Sequence, residues 1–220
     1  MTIHLLKSDQ LLFPPVEDAA PDGLLAMGGD LSVARLLRAY QAGIFPWYSH
    51  PPVLWWCPDP RFVLFPQKLR ISKSMRQVLK RQQFRITINE AFPAVIEHCS
   101  QIKRAGQWGS WITREMIRAY TLLHQKGYAY SVEAWQDGML AGGLYGVWLG
   151  KAFFGESMFS HFSNASKAAF ITFVQYLQNE GVRLIDCQVH TAHLASLGAE
   201  FIPRAEFQTL LRDALTDVVR

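Results

Sequence analysis

Short apolar runs broken by turn residues characterise the first sixty positions. Proline or glycine recurs in segments 13–15, 21–23, 45–47, 50–52 and 57–60, too often for long regular elements. One helix fits here, because Ser32 can cap it, Leu36, Leu37 and Tyr40 share a face, and Gly43 stands where a left-handed residue ends a helix. The pattern predicts a small irregular lobe over residues 1–60.

From Arg61 onward the apolar positions recur at helical spacing and then alternate. Helices are predicted over 71–82 and 91–100, and a third is predicted to begin after Thr113, which can cap it. Strands are predicted at 84–88, 128–135, 139–149 and 152–154, with Gln136, Asp137 and Gly138 as a hairpin turn. The last three strands would form an antiparallel meander.

A long apolar helix is predicted after the meander. Ser163 or Asn164 can cap it, its apolar positions recur at i, i+3, i+4 and i+7, and it ends at Gly181 before a strand at 184–189. Helices, a meander, a long helix and a strand, in this order, are typical of an α+β fold of the GNAT acyltransferase type. We therefore predict a GNAT-like catalytic domain over residues 61–220 behind the N-terminal lobe.

Two polar residues stand two positions apart in the final apolar strand. With the side-chain period of a strand, Asp186 and Gln188 share a face and lie about 6.6 Å apart. Asp186 can simply cap a backbone amide, since buried polar groups are usually hydrogen-bonded. In the other interpretation the pair faces a cleft, where an anion can hold an amine. The spacing leaves both open.

A single carboxylate interrupts the apolar run 153–160. Glu156 either lies in a turn or bulge and meets solvent, or it is a polar group in an apolar ligand pocket. Residues of the run and its neighbours would form that pocket: Phe153, Met158, Leu144 and Phe173.

Seven tryptophans are many for 220 residues, and most are expected to pack in the core. Trp47 and Trp111 stand beside loop signals and are the better candidates for stacking on a nucleobase.

Positive charge is concentrated between Arg61 and Glu90, although the net charge of the whole chain is only +4. No acidic residue separates Arg61 from Glu90, and at helical spacing Lys73, Arg76 and Lys80 share a face, with Arg81 beside them. A solvated helix face explains this pattern, but an unopposed basic stripe also favours a polyanion such as RNA.

Other classes of protein are disfavoured by the sequence. No apolar segment reaches the ~20 residues of a membrane span, and the N-terminus lacks a signal-peptide core, so a cytoplasmic protein without membrane attachment is expected. Cys57, Cys99 and Cys187 are odd in number and widely spaced, which predicts neither disulfides nor a zinc site. We expect no metal and no cofactor.

Several segments together resemble one family, the leucyl/phenylalanyl-tRNA-protein transferases. The carrying segments lie between about Phe13 and Leu211, and their order and spacing are specific. They read GLLAMGGDL at 23–31, GIFPW at 43–47, LWWCPDPR at 54–61, WIT at 111–113, GGLYG at 142–146, GESMFS at 155–160, NASK at 164–167, LIDCQ at 184–188 and SLGA at 196–199.

The resemblance implies an enzyme that moves Leu or Phe, with Met a further candidate, from aminoacyl-tRNA to proteins beginning with Arg or Lys, marking them for degradation under the N-end rule. It assigns the terminal adenosine to Trp47 and Trp111, and the acceptor amine to Asp186 and Gln188 as catalytic residues. It assigns tRNA binding to the basic helix of Lys73, Arg76, Lys80 and Arg81. The amino-acid side chain is assigned to an apolar pocket with a polar edge, formed by Leu144, Phe153, Met158, Phe173 and Ile185 with Gly155, Glu156 and Ser157.

One departure from the family pattern affects these assignments. Gln107-Trp108-Gly109-Ser110 precedes Trp111, so Trp108 competes with Trp111 for the adenosine role. A monomer is expected. The alternative enzyme is an acetyl-CoA-dependent N-acetyltransferase, but residues 162–167 lack the glycines that cradle pyrophosphate in that class. A non-catalytic RNA-binding module would explain the basic helix only.

Overall fold

The computed structural model describes residues 3–102 and 111–216 of the chain. Its N-terminal part is built on a four-stranded sheet of order β1-β2-β4-β3. The elements are β1 His4–Leu6, a 3-10 turn Val16–Asp18, β2 Leu24–Gly28, α1 Val33–Gln41, β3 Phe45–Pro46 and β4 Leu54–Trp56. This part contains one α-helix, as predicted, and no long regular elements; its strands were not predicted, because two to five residues are too few to show an alternating pattern.

The remaining elements form a seven-stranded sheet with helices on both faces, and the strand order is β11-β5-β10-β9-β8-β7-β6. They are β5 Arg61–Leu64, a 3-10 turn Pro66–Lys68, α2 Lys73–Lys80, β6 Arg85–Ile88, α3 Phe92–Gln101, α4 Arg114–Gln125, β7 Ala129–Gln136, β8 Met139–Leu149, β9 Ala152–Ser160, α5 Ala165–Asn179, β10 Leu184–Gln188, α6 Ala192–Ser196, β11 Glu200–Ile202 and α7 Arg204–Thr216. The predicted α+β class is confirmed.

Capping residues set several of the predicted helix starts. The side chains of Ser32, Ser72 and Thr113 accept hydrogen bonds from backbone amides in the first turns of α1, α2 and α4. Asn164 is the N-cap of α5 by position, but its side chain makes no capping hydrogen bond and its φ is +71°. The third meander strand is longer than predicted, because its pairing with β8 continues past a bulge at Glu156 up to Ser160.

Two strands diverge near the middle of the large sheet. β9 and β10 are parallel and pair at three positions, ending with Asp186 opposite Phe154, whereas the other strand pairs of this sheet are antiparallel. α5 connects β9 with β10 and packs closely on β8, where a Cβ at Gly142 would lie 2.8 Å from the Cβ of Ala165. A parallel, diverging pair joined by a long helix is the arrangement predicted for a GNAT-like domain.

Hydrophobic side chains fill both faces of the sheet. One cluster joins Trp55 and Leu36 of the N-terminal part to Phe92, Tyr120 and Phe207 of the later helices. The other lies under α5 and α2. The first cluster is continuous across residue 60, so the N-terminal part packs on the rest through a shared core. The division into domains at residue 60 stays a prediction.

Candidate active site

A cavity of about 470 Å³ opens where β9 and β10 separate. Its wall includes ten of the residues singled out from the sequence: Trp47, Trp111, Leu144, Phe153, Gly155, Glu156, Ser157, Met158, Ile185 and Gln188. Phe173 does not reach the cavity. Its ring packs edge-on against Phe153, with 5.0 Å between the ring centroids, so it supports the wall from behind.

Glu156 forms the polar edge of this otherwise apolar cavity. It lies at a bulge of β9, between the pairs Gly155–Gly146 and Ser157–Tyr145, and only 8% of its surface is exposed. The alternative of a solvated turn or bulge was therefore right about the bulge and wrong about the solvent. Its Oε1 accepts hydrogen bonds from the Tyr40 hydroxyl at 2.7 Å and from Gln188 Nε2 at 2.9 Å, and its Oε2 accepts one from the Tyr120 hydroxyl at 3.0 Å. One carboxyl group thus joins α1, α4, β9 and β10.

Burial governs the ionisation of this group. It raises the pKa of Glu156 to about 7, against the hydrogen bonds from Tyr40, Tyr120 and Gln188, which lower it. The neighbouring carboxylate of Asp186 raises the pKa further. Burial also raises the pKa of both tyrosines well above the ordinary value, with Glu156 adding to the effect.

Asp186 and Gln188 do not share the cavity face, contrary to the alternation expected of a strand. Gln188 adopts a φ of +62°, and the amide of Val189 donates to the carbonyl of Cys187 at 2.7 Å, which makes a γ-turn centred on Gln188. The Gln188 amide donates to Asp186 Oδ1 at 2.9 Å. This turn directs the Gln188 side chain to Glu156 and leaves Asp186 behind the wall.

Arg61 neutralises Asp186 in the interior. The Nε of Arg61 donates to Oδ1 at 2.8 Å and its Nη2 to Oδ2 at 2.7 Å, and both side chains are at most 1% exposed. The guanidinium lies between the rings of Phe45 and Phe207, 4.8 and 4.6 Å from their centroids. Asp186 therefore accepts a backbone amide, as the capping interpretation predicted. Its role in the reaction stays a prediction.

The two candidate tryptophans line the end of the cavity formed by the N-terminal part. Trp47 is half-buried beside Trp56, whose Nε1 donates to the Trp47 carbonyl at 2.7 Å. Trp111 is 9% exposed and stands two residues before the cap of α4. Trp108 lies outside the described residues.

Family models match two consecutive segments of the chain. One described as "Leucyl/phenylalanyl-tRNA protein transferase" covers residues 63–212, and one described as its N-terminal domain covers residues 29–59. The chain belongs to this transferase family.

Individual relatives agree with the family models, and each is described as a leucyl/phenylalanyl-tRNA–protein transferase. One from Syntrophus aciditrophicus is 58% identical over 206 residues, covering 93% of this chain and 86% of its own. One from Flavobacterium johnsoniae is 56% identical and covers 92% of this chain and 96% of its own. One from Myxococcus xanthus is 52% identical and covers 100% and 95%.

Solved structures resemble the chain only distantly. A GCN5-related N-acetyltransferase-like protein from Streptococcus suis has a TM-score of 0.38 at 12% identity, covering 74% of this chain and 61% of its own. A GCN5-related N-acetyltransferase from Kribbella flavida has a TM-score of 0.34 at 11% identity, covering 76% and 59%. Because both scores are low, the assignment of a GNAT-like fold to this transferase rests on its strand order.

The basic helix of the transferase is α2. Four basic side chains on and beside this helix are exposed, and none forms an ion pair within the described part of the chain: Lys73, Arg76, Lys80 and Arg81. The flanking residue Lys68 is paired with Glu200, and Arg85 with Glu90. Four cations at one end of the molecule are therefore available to a polyanion.

Four residues of the site were missed as site residues. Tyr40 and Tyr120 were predicted only as apolar positions of their helices. A tyrosine ring packs like an apolar side chain, so the hydrophobic pattern does not reveal its hydroxyl group. Arg61 was noted only at the end of a motif. His193 also lines the cavity, with a buried Nε2 that has no hydrogen-bond partner among the described residues. The signal that could have identified His193 is that it is a polar residue in the short helix α6, directly after β10.

Neither a metal cluster nor a membrane span is present in the ranges 3–102 and 111–216. No three His, Cys, Asp or Glu side chains come together there as a possible metal site. None of the helices there is long and apolar enough to cross a bilayer. The three cysteines are buried and unbridged.

Proposed function

We propose that this chain transfers Leu or Phe from aminoacyl-tRNA to the α-amino group of proteins that begin with Arg or Lys. One observation supports this most: Glu156 and Gln188 meet at the diverging ends of β9 and β10, above an apolar cavity that also carries Trp47 and Trp111. Such a cavity offers an apolar pocket for a side chain, flat rings for an adenine and a polar edge for an amine.

The reaction requires correct positioning of the two substrates more than it requires a nucleophilic side chain. The ester of aminoacyl-tRNA is already activated, and the attacking amine has a solution pKa of about 7.7–8.0. Its nitrogen forms a bond to the ester carbonyl carbon and loses a proton, the bond from that carbon to the ribose oxygen breaks, and the ribose oxygen takes up one proton in exchange. Cys187 lines the cavity, but burial raises the pKa of its thiol, which keeps it protonated. Orientation of the two substrates is then the main contribution.

Gln188 is the residue best placed to orient the amine. Its Nε2 donates to Glu156, so its side-chain carbonyl is the atom that it offers to an amine hydrogen. We assign Asp186 an indirect role, because its oxygens already accept from Arg61 and from the Gln188 amide. Asp186 fixes the turn that presents Gln188.

The apolar wall supports selection of the amino acid. Leu144, Phe153, Met158 and Ile185 surround a space in which Glu156 is the one acidic side chain among the described lining residues. Unbranched and γ-branched side chains such as Leu, Phe and Met would fill it, and β-branched ones would be disfavoured by shape, by about 1–3 kcal/mol.

Four wider properties complete the proposal. The exposed cations of α2 would contact the tRNA backbone, and the products would be marked for degradation under the N-end rule. The protein would act as a monomer in the cytoplasm.

The N-acetyltransferase alternative has weak support. A pyrophosphate cradle at the start of α5 would need free amides, but the Ala165 amide donates to the Phe162 carbonyl at 3.1 Å and the Ser166 amide to Ser160 Oγ at 3.3 Å.

Calorimetric titration separates the two enzymes. A stable aminoacyl-adenosine mimic should bind and coenzyme A should not. Binding of coenzyme A without binding of the mimic would reject the proposal.

A further inference from the structure

Three oxygen-bearing groups from three elements close a triangle beside the cavity. The Tyr40 hydroxyl lies 2.7 Å from Oε1 of Glu156, and the Tyr120 hydroxyl lies 3.0 Å from Oε2. The two hydroxyls also form a short hydrogen bond with each other. Tyr40 and Tyr120 are fully buried, and Glu156 is 8% exposed, so bulk water does not separate these groups.

The triangle has three oxygen–oxygen contacts, but the two tyrosines supply only two protons. Each phenol carries one proton and an ionised carboxylate carries none, so one of the three oxygen–oxygen contacts would have no hydrogen. Two buried oxygens in contact without a proton repel each other. A third proton on Glu156 removes the conflict.

With that proton, every contact has one donor and one acceptor. The contact between Glu156 and Tyr120 then reverses its direction, because the protonated Oε2 of Glu156 donates to the Tyr120 hydroxyl. Tyr120 donates to Tyr40, and Tyr40 donates to Oε1. Oε1, then a carbonyl oxygen, accepts the Gln188 amide with its second lone pair. We propose that Glu156, Tyr40 and Tyr120 share three protons in a closed ring, so that Glu156 is a neutral carboxylic acid in weakly acidic to neutral solution.

The charged groups around Glu156 favour the neutral form. Asp186 on β10 lies close enough to disfavour a second negative charge. Arg61 on β5 is the nearby cation, but it forms its bidentate pair with Asp186. Tyr40 and Tyr120 have a raised pKa and stay protonated. A pKa of about 7 for Glu156 is consistent with the ring.

The consequence for the reaction rests on the proposed function. An anionic Glu156 would hold the acceptor amine as an ammonium ion, whose nitrogen has no lone pair for attack. A neutral carboxyl group makes hydrogen bonds without favouring the charged amine. Tyr40 and Tyr120, which do not line the cavity, are then positioning residues that act through Glu156.

Infrared spectroscopy tests the protonation state without any substrate, so its result does not depend on the proposed function. Difference spectra between the wild-type protein and Glu156→Gln should show the carbonyl stretch of one protonated carboxylic acid at pH 6. The band should disappear as the pH rises through about 7. Absence of the band at pH 6 would overturn the proposal.

Opening the ring tests whether the tyrosines share the proton. Tyr40→Phe and Tyr120→Phe keep the packing and remove one oxygen each, so the midpoint of the infrared titration should move in both. An unchanged midpoint in both folded variants would overturn the ring. Neutron diffraction gives a second readout, with three deuterons expected among the three groups, whereas two deuterons directed at a carboxylate would contradict it.

The Gln variant of Glu156 provides the functional test. Its carbonyl can accept from Tyr40 and Gln188 and its amide can donate to Tyr120, as the neutral acid would. We expect the loss of kcat/KM for aminoacyl transfer at pH 6 to be at least tenfold smaller in Glu156→Gln than in Glu156→Ala, because only the Gln side chain can reproduce the hydrogen bonds of the neutral acid. A loss in folded Glu156→Gln that comes within tenfold of the loss in Glu156→Ala, beside an unaffected Glu17→Gln control on the surface, would contradict a neutral Glu156.

Discussion

Arg61 and Asp186 stand 125 positions apart in the chain and form a buried bidentate ion pair, with donor–acceptor distances of 2.8 and 2.7 Å. Arg61 also contacts Phe45 of β3 and Phe207 of α7, so the pair joins the N-terminal sheet, the large sheet and the last helix. Asp186 in turn holds the backbone amide of Gln188. The stability of the fold and the geometry of the site therefore depend on the same carboxylate.

Removing one partner of this pair should destabilise the protein strongly. Asp186→Ala leaves a guanidinium buried without its counterion, which we expect to lower the free energy of unfolding by about 3–5 kcal/mol. Replacing both partners, as Arg61→Met with Asp186→Leu, should recover much of that loss because no unpaired charge remains.

Urea unfolding measures both variants. Glu90→Ala breaks the exposed pair with Arg85 and should cost less than about 1 kcal/mol. An Asp186→Ala protein as stable as this control would show that the buried pair does not hold the fold.

Gln188 should affect the acceptor step more than stability. Gln188→Ala removes the amide that bonds Glu156 and is expected to lower kcat/KM for an Arg-starting peptide about tenfold, the size of one good hydrogen bond. Steady-state kinetics with the exposed substitution Gln175→Ala as control checks this. Unchanged kcat/KM in Gln188→Ala would remove Gln188 from the mechanism.

The tryptophans at the cavity should determine affinity for the adenosine end of the donor. Trp47→Ala and Trp111→Ala each should weaken binding of an aminoacyl-adenosine mimic, by about 1–3 kcal/mol where the ring stacks on the base. Trp135→Phe is the matched control, because Trp135 lies on β7 over Arg85 and does not line the cavity. Equal affinities in all three variants would show that neither ring binds the base.

The exposed cations of α2 should make tRNA binding salt-dependent. Changing Lys73, Arg76, Lys80 and Arg81 together to Gln should flatten the plot of log affinity against log salt by about 0.7–0.9 for each phosphate that the variant no longer neutralises. Lys80→Ala alone should weaken all tRNAs alike, because phosphates carry no sequence.

A double substitution of exposed cations elsewhere, Lys126→Gln with Arg212→Gln, serves as the control. A salt slope that stays the same in the α2 variant would place the tRNA on another surface.

Local patterns predicted the fold where local forces decide it. The helical spacing of apolar residues predicted α1, α2 and α5, and the alternation with its turn predicted the meander of β7, β8 and β9. The length of β9 was underestimated, because a glycine and a carboxylate interrupt its apolar run while its backbone pairing with β8 continues.

The sequence identified many of the residues that line the cavity, but it did not predict their contacts. Strand alternation placed Asp186 and Gln188 on one face, but a left-handed residue at Gln188 turns one side chain away from the other. The partners that explain each of them come from elsewhere in the chain, Arg61 for Asp186 and Tyr40 with Tyr120 for Glu156. No periodicity encodes contacts between residues so far apart.

Mass spectrometry of an acceptor peptide tests the proposed function most directly. The wild-type protein, given Leu-tRNA and a peptide beginning with Arg, should add one Leu to the peptide's α-amine and leave the N-acetylated form of the same peptide unchanged. No addition from Leu-tRNA or Phe-tRNA, with acetylation of the free peptide from acetyl-CoA instead, would contradict it.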